Sequence, residues 1–298
     1  MSSCFVTTID LSLQEKLRQD LLDQGFSLSP APYSCFLAKK EKISCQLYLS
    51  GKLMVQGKGM EDFITYYLEP EILKNLSYTH PEVGIDLSPR IGLDEAGKGD
   101  FFGPLCMAGL YADEAGIREL LQLKVKDSKK LSDRSIIALS STLKARFPHK
   151  ILSLFPSTYN RLYAQFHNLN RLLAWGHATV LEDLSKATSC KKALLDQFAH
   201  ESLVEGMLKQ KHLSIELTQR VRAEEDPVVA AASILARAAF VEGIAKLEEH
   251  YQVQLPKGAS SLVIQAGQKI VTKHGQGILS FLSKTHFKTT DAVISSHD

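Results

Sequence analysis

The sequence has no cysteine or histidine pattern with which to hold a soft metal. Its five cysteines (Cys4, Cys35, Cys45, Cys106 and Cys190) are odd in number, scattered and never arranged as CxxC. That argues against both a disulfide framework and a thiolate zinc site. The ten histidines contain neither HExxH nor HxxxH, so any bound metal has to be held by carboxylates. There is no GxxxxGK[ST] for a phosphate-binding loop, no internal repeat and no low-complexity tract. No apolar run approaches the length of a membrane span, and MSSCFVTTIDLS lacks a basic region followed by an apolar one. A cytoplasmic protein with no membrane partner is expected.

Neither sign of charge dominates: 35 Lys/Arg stand against 33 Asp/Glu in 298 residues. The distribution is uneven. Residues 1–88 carry 8 basic and 11 acidic side chains, whereas Arg118–Lys150 carries 9 basic and 3 acidic ones. Lys269, Lys273, Lys284 and Lys288 fall in a stretch without acids. Such local clusters suit a phosphate-rich partner met by one face, and equally an ordinary lysine-rich surface.

Periodicity divides the chain. Leu13, Leu17 and Leu21 predict a helix over 11–24 that Gly25 ends. Ile43, Cys45, Leu47 and Leu49 alternate with polar residues as in a half-buried antiparallel strand. Gly51-Lys52 reads as a turn into a strand over 53–56, and 60–68 as a further helix. Residues 77–90, with two prolines and a glycine, read as a linker. Beyond it, strands are expected at 91–94, 102–111, 151–155, 193–196 and 213–217. Helices are expected at 161–188, 200–207 and 227–251. A mixed sheet covered by helices follows.

The chemistry concentrates at strand ends. Asp94 and Glu95 follow an apolar strand, where charges are costly unless paired or bound to a cation. Their side chains diverge in an extended chain, so one can face a site and the other flank it. Two solvated acids at a strand end would look the same. Gly97, Gly99 and Gly103 nearly spell GxGxxG, but a strand containing Pro104 follows instead of a helix N-terminus, which excludes a dinucleotide site. These glycines are better suited to close backbone approach to a phosphate or sugar. Asp196 repeats the strand-then-acid pattern, or caps a helix. In Arg222-Ala-Glu-Glu-Asp-Pro227, Asp226 fits an N-cap before proline, which leaves Glu224 and Glu225 for other work. Four acids at element ends suit hard Mg²⁺ or Mn²⁺, two of which can drive in-line phosphodiester hydrolysis.

Asp94-Glu-Ala-Gly-Lys-Gly-Asp-x-x-Gly-Pro-Leu105 resembles the first signature of type 2 ribonucleases H. Asp127-Ser-Lys-Lys-Leu131 resembles their DSK-L element, and Ala230-Ala-Ala-Ser-Ile-Leu-Ala-Arg237 their AAASI-A-K/R helix. Ser50–Gly59, Tyr159-Asn160, Asn168-x-Asn170 with Ala174-Trp175, Asp196-Gln-Phe198 and Leu255–Ala259 favour the ribonuclease HIII branch.

The resemblance implies an α/β fold: a ribonuclease H-like mixed sheet flanked by helices at 90–298. Ahead of it stand a linker at 77–89 and, at 1–76, a small α+β domain similar to the TATA-binding protein that grips substrate. It implies endonucleolytic cutting of the RNA strand of RNA–DNA hybrids, with 5′-phosphate and 3′-hydroxyl ends; a monomer is expected. Asp94, Glu95, Asp196 and Glu224 would be the catalytic acids, the first three as metal ligands to two Mg²⁺ or Mn²⁺ ions. The family's Lys-Ala-Glu matches Arg222-Ala-Glu224. One residue is missing before the AAAS helix, however, so Glu225 stays open. Gly97, Lys98 and Gly99 are candidates to read the 2′-hydroxyl, which DNA lacks. Ser128, Lys129 and Lys130 are candidates for flanking phosphates. Gln46, Tyr48, Lys52 and Lys58 are candidates for the open face of the N-terminal domain, while Trp175 and His177 read as packing residues. Two alternatives stand beside this reading: ribonuclease HII-like cleavage at embedded ribonucleotides, and hybrid binding without catalysis.

Overall fold

Leu17 and Leu21, one turn apart, are both fully buried on the helix Gln14–Asp23 (α1), which follows the strand Cys4–Thr8 (β1). Gly25, at φ +82, ends α1. The chain then runs through Ser27–Ser29 (β2), Ser34–Lys40 (β3), Ile43–Tyr48 (β4) and Lys52–Gly57 (β5). These are antiparallel in the order β1-β5-β4-β3-β2. β4 stops at Tyr48, and Leu49 is 62% exposed in the turn at Gly51, so it does not join the buried face. Met60–Phe63 (α2) widens into a π-helical stretch, Ile64–Leu73, rather than ending near residue 68. Pro70 lies inside that stretch, and its missing N–H cannot continue an α ladder. The computed structural model describes residues 4–75, 78–79, 85–123, 125 and 131–295. Proximity divides the chain into Met1–Asp86 and Leu87–Asp298.

In the first unit the period of two decides what is covered. Phe36, Ala38, Cys45, Leu47, Leu53 and Val55 pack with Leu17, Leu21, Phe63, Ile64 and Leu68 in one core. The alternate residues Leu37, Gln46 and Met54 are cross-strand partners on the opposite face, which the helices leave uncovered.

The second unit is built on Arg90–Ala96 (β6), Leu105–Ala112 (β7), His149–Leu154 (β8), Lys192–Asp196 (β9) and Glu216–Arg220 (β10). Their order is β10-β9-β6-β7-β8, with β10, β9 and β6 parallel and β7 and β8 antiparallel. Glu114–Gln122 (α3) and Asp133–Arg146 (α4) connect β7 to β8. Pro156–Phe166 (α5) and Leu169–Thr188 (α6) connect β8 to β9, and Ser202–Gln210 (α7) precedes β10. The stretch expected as one helix over 161–188 is thus two. His167 takes the left-handed conformation at φ +51, and the Asn168 side chain caps α6 by accepting from the Asn170 and Arg171 N–H groups.

Pro227–Tyr251 (α8) begins where the sequence places it, with Asp226 as its cap and Pro227 at its first position. By length and composition it could cross a membrane, contrary to the expectation from the sequence, but 78% of its most apolar window is buried against the sheet. Ser261–His274 (α9), Leu279–Leu282 (α10) and Thr289–Ile294 (α11) close the unit.

Alternation along β6 sorts its residues between two layers. Ile91 and Leu93 point into the core shared with α6 and α7. Gly92 faces α8 so closely that a Cβ there would stand 2.4 Å from the Val228 carbonyl carbon. Asp94 therefore belongs to the α8 side and Glu95 to the α6 side.

Candidate active site

The end of β6 is where the two acids emerge. Asp94 and Glu95 still pair with Ala108 and Met107 of β7, so they lie within the strand, just before its last residue Ala96, rather than in the loop beyond. The parallel ladder between β6 and β9 ends at Leu93 opposite Leu195, and one step further each strand carries an aspartate, Asp94 and Asp196. In β9, Ala193 and Leu195 face the α6 core while Leu194 packs with Val229 of α8, so Asp196 shares the α8 side with Asp94. Asp196 Oδ1 accepts from the Ala223 N–H at 2.8 Å, which anchors the short turn Ala223–Glu225 that carries Glu224.

These four acids line one cleft of about 320 Å³ together with Gly97, Lys98, Gly99, Asp100, Ser233 and Arg237. Glu225 is exposed and does not line it. The acids are not alike. Burial, then the Glu95 charge, pushes the Asp94 carboxyl up to about 8, even though the Glu95 N–H donates to it at 2.8 Å. Burial and the neighbouring Glu224 also raise Asp196, against the opposing Ala223 hydrogen bond. Glu95 is buried too, which by itself would raise it. The His177 hydrogen bond and the charges of His177 and Lys98 outweigh that and hold it low. Lys98 Nζ stands 3.5 Å from Glu95 Oε1 and 5.3 Å from the centre of the Phe198 ring.

Among the described residues, no three Asp, Glu, His or Cys side chains close around a single point. Asp94, Glu95 and Asp196 each meet a hydrogen-bonding partner within the protein: the Glu95 N–H, His177 Nε2 and the Ala223 N–H. The donor set is nevertheless all oxygen and opens on a cleft, and Asp94 holds its proton into the neutral range. That fits a hard divalent cation, which would favour the ionised carboxylate.

The loop over the cleft is clasped from behind. Lys284, fully buried, donates to the carbonyls of Asp100 and Gly103 at 2.8 Å each, and the Gly258 N–H donates to Asp100 Oδ1 at 2.6 Å. Gly97 takes φ +86, and a Cβ on it would stand 2.2 Å from the Pro104 carbonyl oxygen. Gly99 is different: a Cβ there would meet nothing within 4 Å.

Of the other expected site residues, Ser128, Lys129 and Lys130 lie outside the described residues. Gln46, Tyr48 and Lys52 belong to the first unit, on the sheet face away from its helices. Gln46 Nε2 donates to Ser34 Oγ at 2.8 Å, and Lys52 opens β5 opposite Thr8. Lys58 stands in the turn after β5. Trp175 packs beside Phe166, as expected. The expectation for His177 is incomplete: it is fully buried, yet its Nε2 lies 3.2 Å from Glu95 Oε2. The signal for such a role in the sequence is its place among Leu173, Gly176, Val180 and Leu181, a polar side chain on the buried stripe of a helix. Arg237, the last residue of the Ala230–Arg237 motif, lines the cleft wall, a place that its position in the sequence does not reveal.

Comparison with known proteins agrees with this architecture. Residues 91–290 match the family model described as Ribonuclease HII, and residues 4–79 match one described as Domain of unknown function (DUF3378). Ribonuclease HIII of Protochlamydia amoebophila (strain UWE25) is 51% identical over 290 residues, covering 97% of this chain and 96% of the relative. Ribonuclease HIII of Chlamydia abortus is 49% identical over 301 residues, with both chains covered completely. The crystal structure of Bst-RNase HIII in complex with Mn²⁺ superposes with a TM-score of 0.70 at 27% identity, covering 99% of each chain. With relatives near half-identity from end to end, and the acids of the matched segment lining one cleft, the chain belongs to the ribonuclease HIII family.

Proposed function

We propose that this chain is a divalent-metal-dependent endoribonuclease that hydrolyses the RNA strand of RNA–DNA hybrids, leaving 5′-phosphate and 3′-hydroxyl ends. One observation carries the reading: Asp94, Glu95, Asp196 and Glu224, from three separate elements, line one cleft beside the loop Gly97–Gly99. In this reading Asp94, Glu95 and Asp196 hold two Mg²⁺ or Mn²⁺ ions, with Glu224 as the fourth catalytic acid. Two such ions, when bound, activate a water and stabilise the leaving oxygen of an in-line displacement.

The chain's own residues do the rest. Glu224, on the turn tied to Asp196, faces the attacked phosphate from the flank. Arg237 and Lys98 offset phosphate charge at the cleft wall, which positions the strand without sequence preference. The backbone groups of Gly97, Lys98 and Gly99 meet the 2′-hydroxyl. The uncovered sheet face with Gln46, Tyr48 and Lys52 grips the duplex. In this reading the enzyme works as a monomer in the cytoplasm.

The test is cleavage of end-labelled RNA–DNA hybrid, RNA duplex and DNA duplex with one embedded ribonucleotide, each with Mg²⁺, Mn²⁺ or EDTA. Metal-dependent cutting of the hybrid that Asp94→Asn abolishes is the expected result. A match of residues 91–290 to the ribonuclease HII model favours a second reading, cutting at embedded ribonucleotides, which the third substrate decides. Binding without cutting under either metal would leave a hybrid-binding protein instead.

A further inference from the structure

His177 is the only polar residue among the buried positions of α6. Its Nε2 meets Glu95 Oε2 at 3.2 Å, while its Nδ1 is buried with no hydrogen-bond partner among the described residues. An ionised carboxylate only accepts, so Nε2 must carry the proton and donate. The ring is fully buried, and Phe198 stacks on it at 5.4 Å between centres and 26° between planes. Phe198 lies two residues beyond Asp196, the last residue of β9, so the loop leaving the strand that supplies one acid also braces the side chain that holds another.

The two oxygens of Glu95 are therefore treated differently. Oε2 is claimed from the core side by a buried, stacked imidazole. Oε1 meets Lys98, which is 37% exposed and lines the cleft, a partner that can leave for solvent or for phosphate.

We propose that His177 is a positioning residue that pins Glu95 through Oε2, so that Glu95 offers only Oε1 to a cation in the cleft, with Phe198 locking the imidazole. It rests on the reading of Glu95 as a metal ligand. Donors that orient a ligating group in this way typically contribute about 10–100-fold in metal affinity or activity.

The variants that separate a donor from mere bulk are His177→Gln, whose amide nitrogen can reach the position of Nε2, His177→Asn, whose amide falls short, and His177→Phe, which fills the space. Phe198→Leu, at a half-buried site, removes the stack and keeps the donor. The measurement is Mn²⁺ affinity of the substrate-free full-length proteins by titration calorimetry, beside Glu95→Gln and with melting curves as the check on folding. Expected are near-wild-type affinity for His177→Gln, a loss of about tenfold or more for His177→Asn and His177→Phe, and a smaller loss for Phe198→Leu. In cleavage assays His177→Asn, His177→Phe and Phe198→Leu lower kcat and leave KM for the hybrid unchanged, while His177→Gln keeps both. If His177→Gln binds as weakly as His177→Asn, or if neither differs from wild type while Glu95→Gln does, the proposal fails. Wild-type affinity in Glu95→Gln removes its foundation, the assignment of Glu95 itself.

Discussion

Arg90 Nη2 donates to Asp226 Oδ2 at 2.6 Å and Arg90 Nε to the same oxygen at 3.1 Å, with the two side chains only 2% and 9% exposed. The pair joins the first residue of β6 to the cap of α8. Asp226 keeps its other oxygen for the Val228 and Val229 N–H groups, at 2.9 and 3.4 Å. Four residues after Arg90 comes Asp94, and two residues before Asp226 stands Glu224. The strand bearing the first two acids and the turn bearing the fourth are thus held in register by one buried ion pair. No single-position reading would suggest this, because Asp226 already has a sufficient local job as a helix cap.

Breaking that pair from one side should therefore do more than remove a contact. Arg90→Met leaves Asp226 buried with one oxygen unmatched, a situation that typically costs about 3–5 kcal/mol. Denaturant unfolding of the full-length protein should show the loss in the transition of the second unit. An unmoved midpoint would mean that the pair contributes nothing net.

Asp94 offers a test in which activity and stability move in opposite directions. Its carboxyl is pushed up to about 8 by burial and by Glu95. The unfolded chain releases that proton in the ordinary carboxylate range, so the folded state binds more protons in between. Stability of the metal-free protein should fall as pH rises from about 4 to about 8 and level off above. Asp94→Asn removes the penalty, so its melting temperature should exceed that of the wild type by a margin that widens over this window. Mn²⁺ should raise the wild-type melting temperature and leave that of the variant unmoved. A variant that melts below the wild type at pH 8 without metal would contradict the electrostatic account.

Much of the second unit was legible because its signals are local. The Asp-Pro start of α8, the apolar run of β9 and the glycine-rich turn after β6 each announce themselves within a few residues. The break between α5 and α6 is hidden although Asn168 is a cap, because both helices carry an apolar stripe that runs on through the break. The four acids could be named from the resemblance, and their one cleft agrees with the parallel register that places Asp94 level with Asp196. His177 was illegible because its meaning depends on which face of β6 carries Glu95 and which layer α6 occupies. In the first unit, strand alternation identified the open face, but nothing in 43–50 said that Leu49 would leave the strand for the turn.

Removing residues 1–86 tests the gripping role assigned to that face. The remaining unit has its own core around β6, β7 and α6. Loss of a second attachment to the same duplex should raise KM for the hybrid by about tenfold or more, with kcat changed by less than about threefold. The salt dependence of binding should also flatten, since fewer phosphates are neutralised. Equal KM in the full-length and shortened proteins would mean that the first unit does something else.

Gly97 and Gly99, two residues apart in the same loop, separate the demands of folding from those of substrate. At Gly97 both φ +86 and the Pro104 carbonyl forbid a side chain, so Gly97→Ala should destabilise the unit and disturb the acids with it. At Gly99 the protein itself has room for a methyl group. Gly99→Ala should therefore melt within about 0.5 kcal/mol of wild type, as surface substitutions away from special features do. If the backbone at Gly99 approaches the sugar, that same methyl group stands where the hybrid must lie. Cleavage should then fall by at least tenfold through KM, with Mn²⁺ affinity unchanged. Full activity in Gly99→Ala would move the 2′-hydroxyl contact elsewhere in the cleft, whereas lost stability would show that the glycine is there for the fold after all.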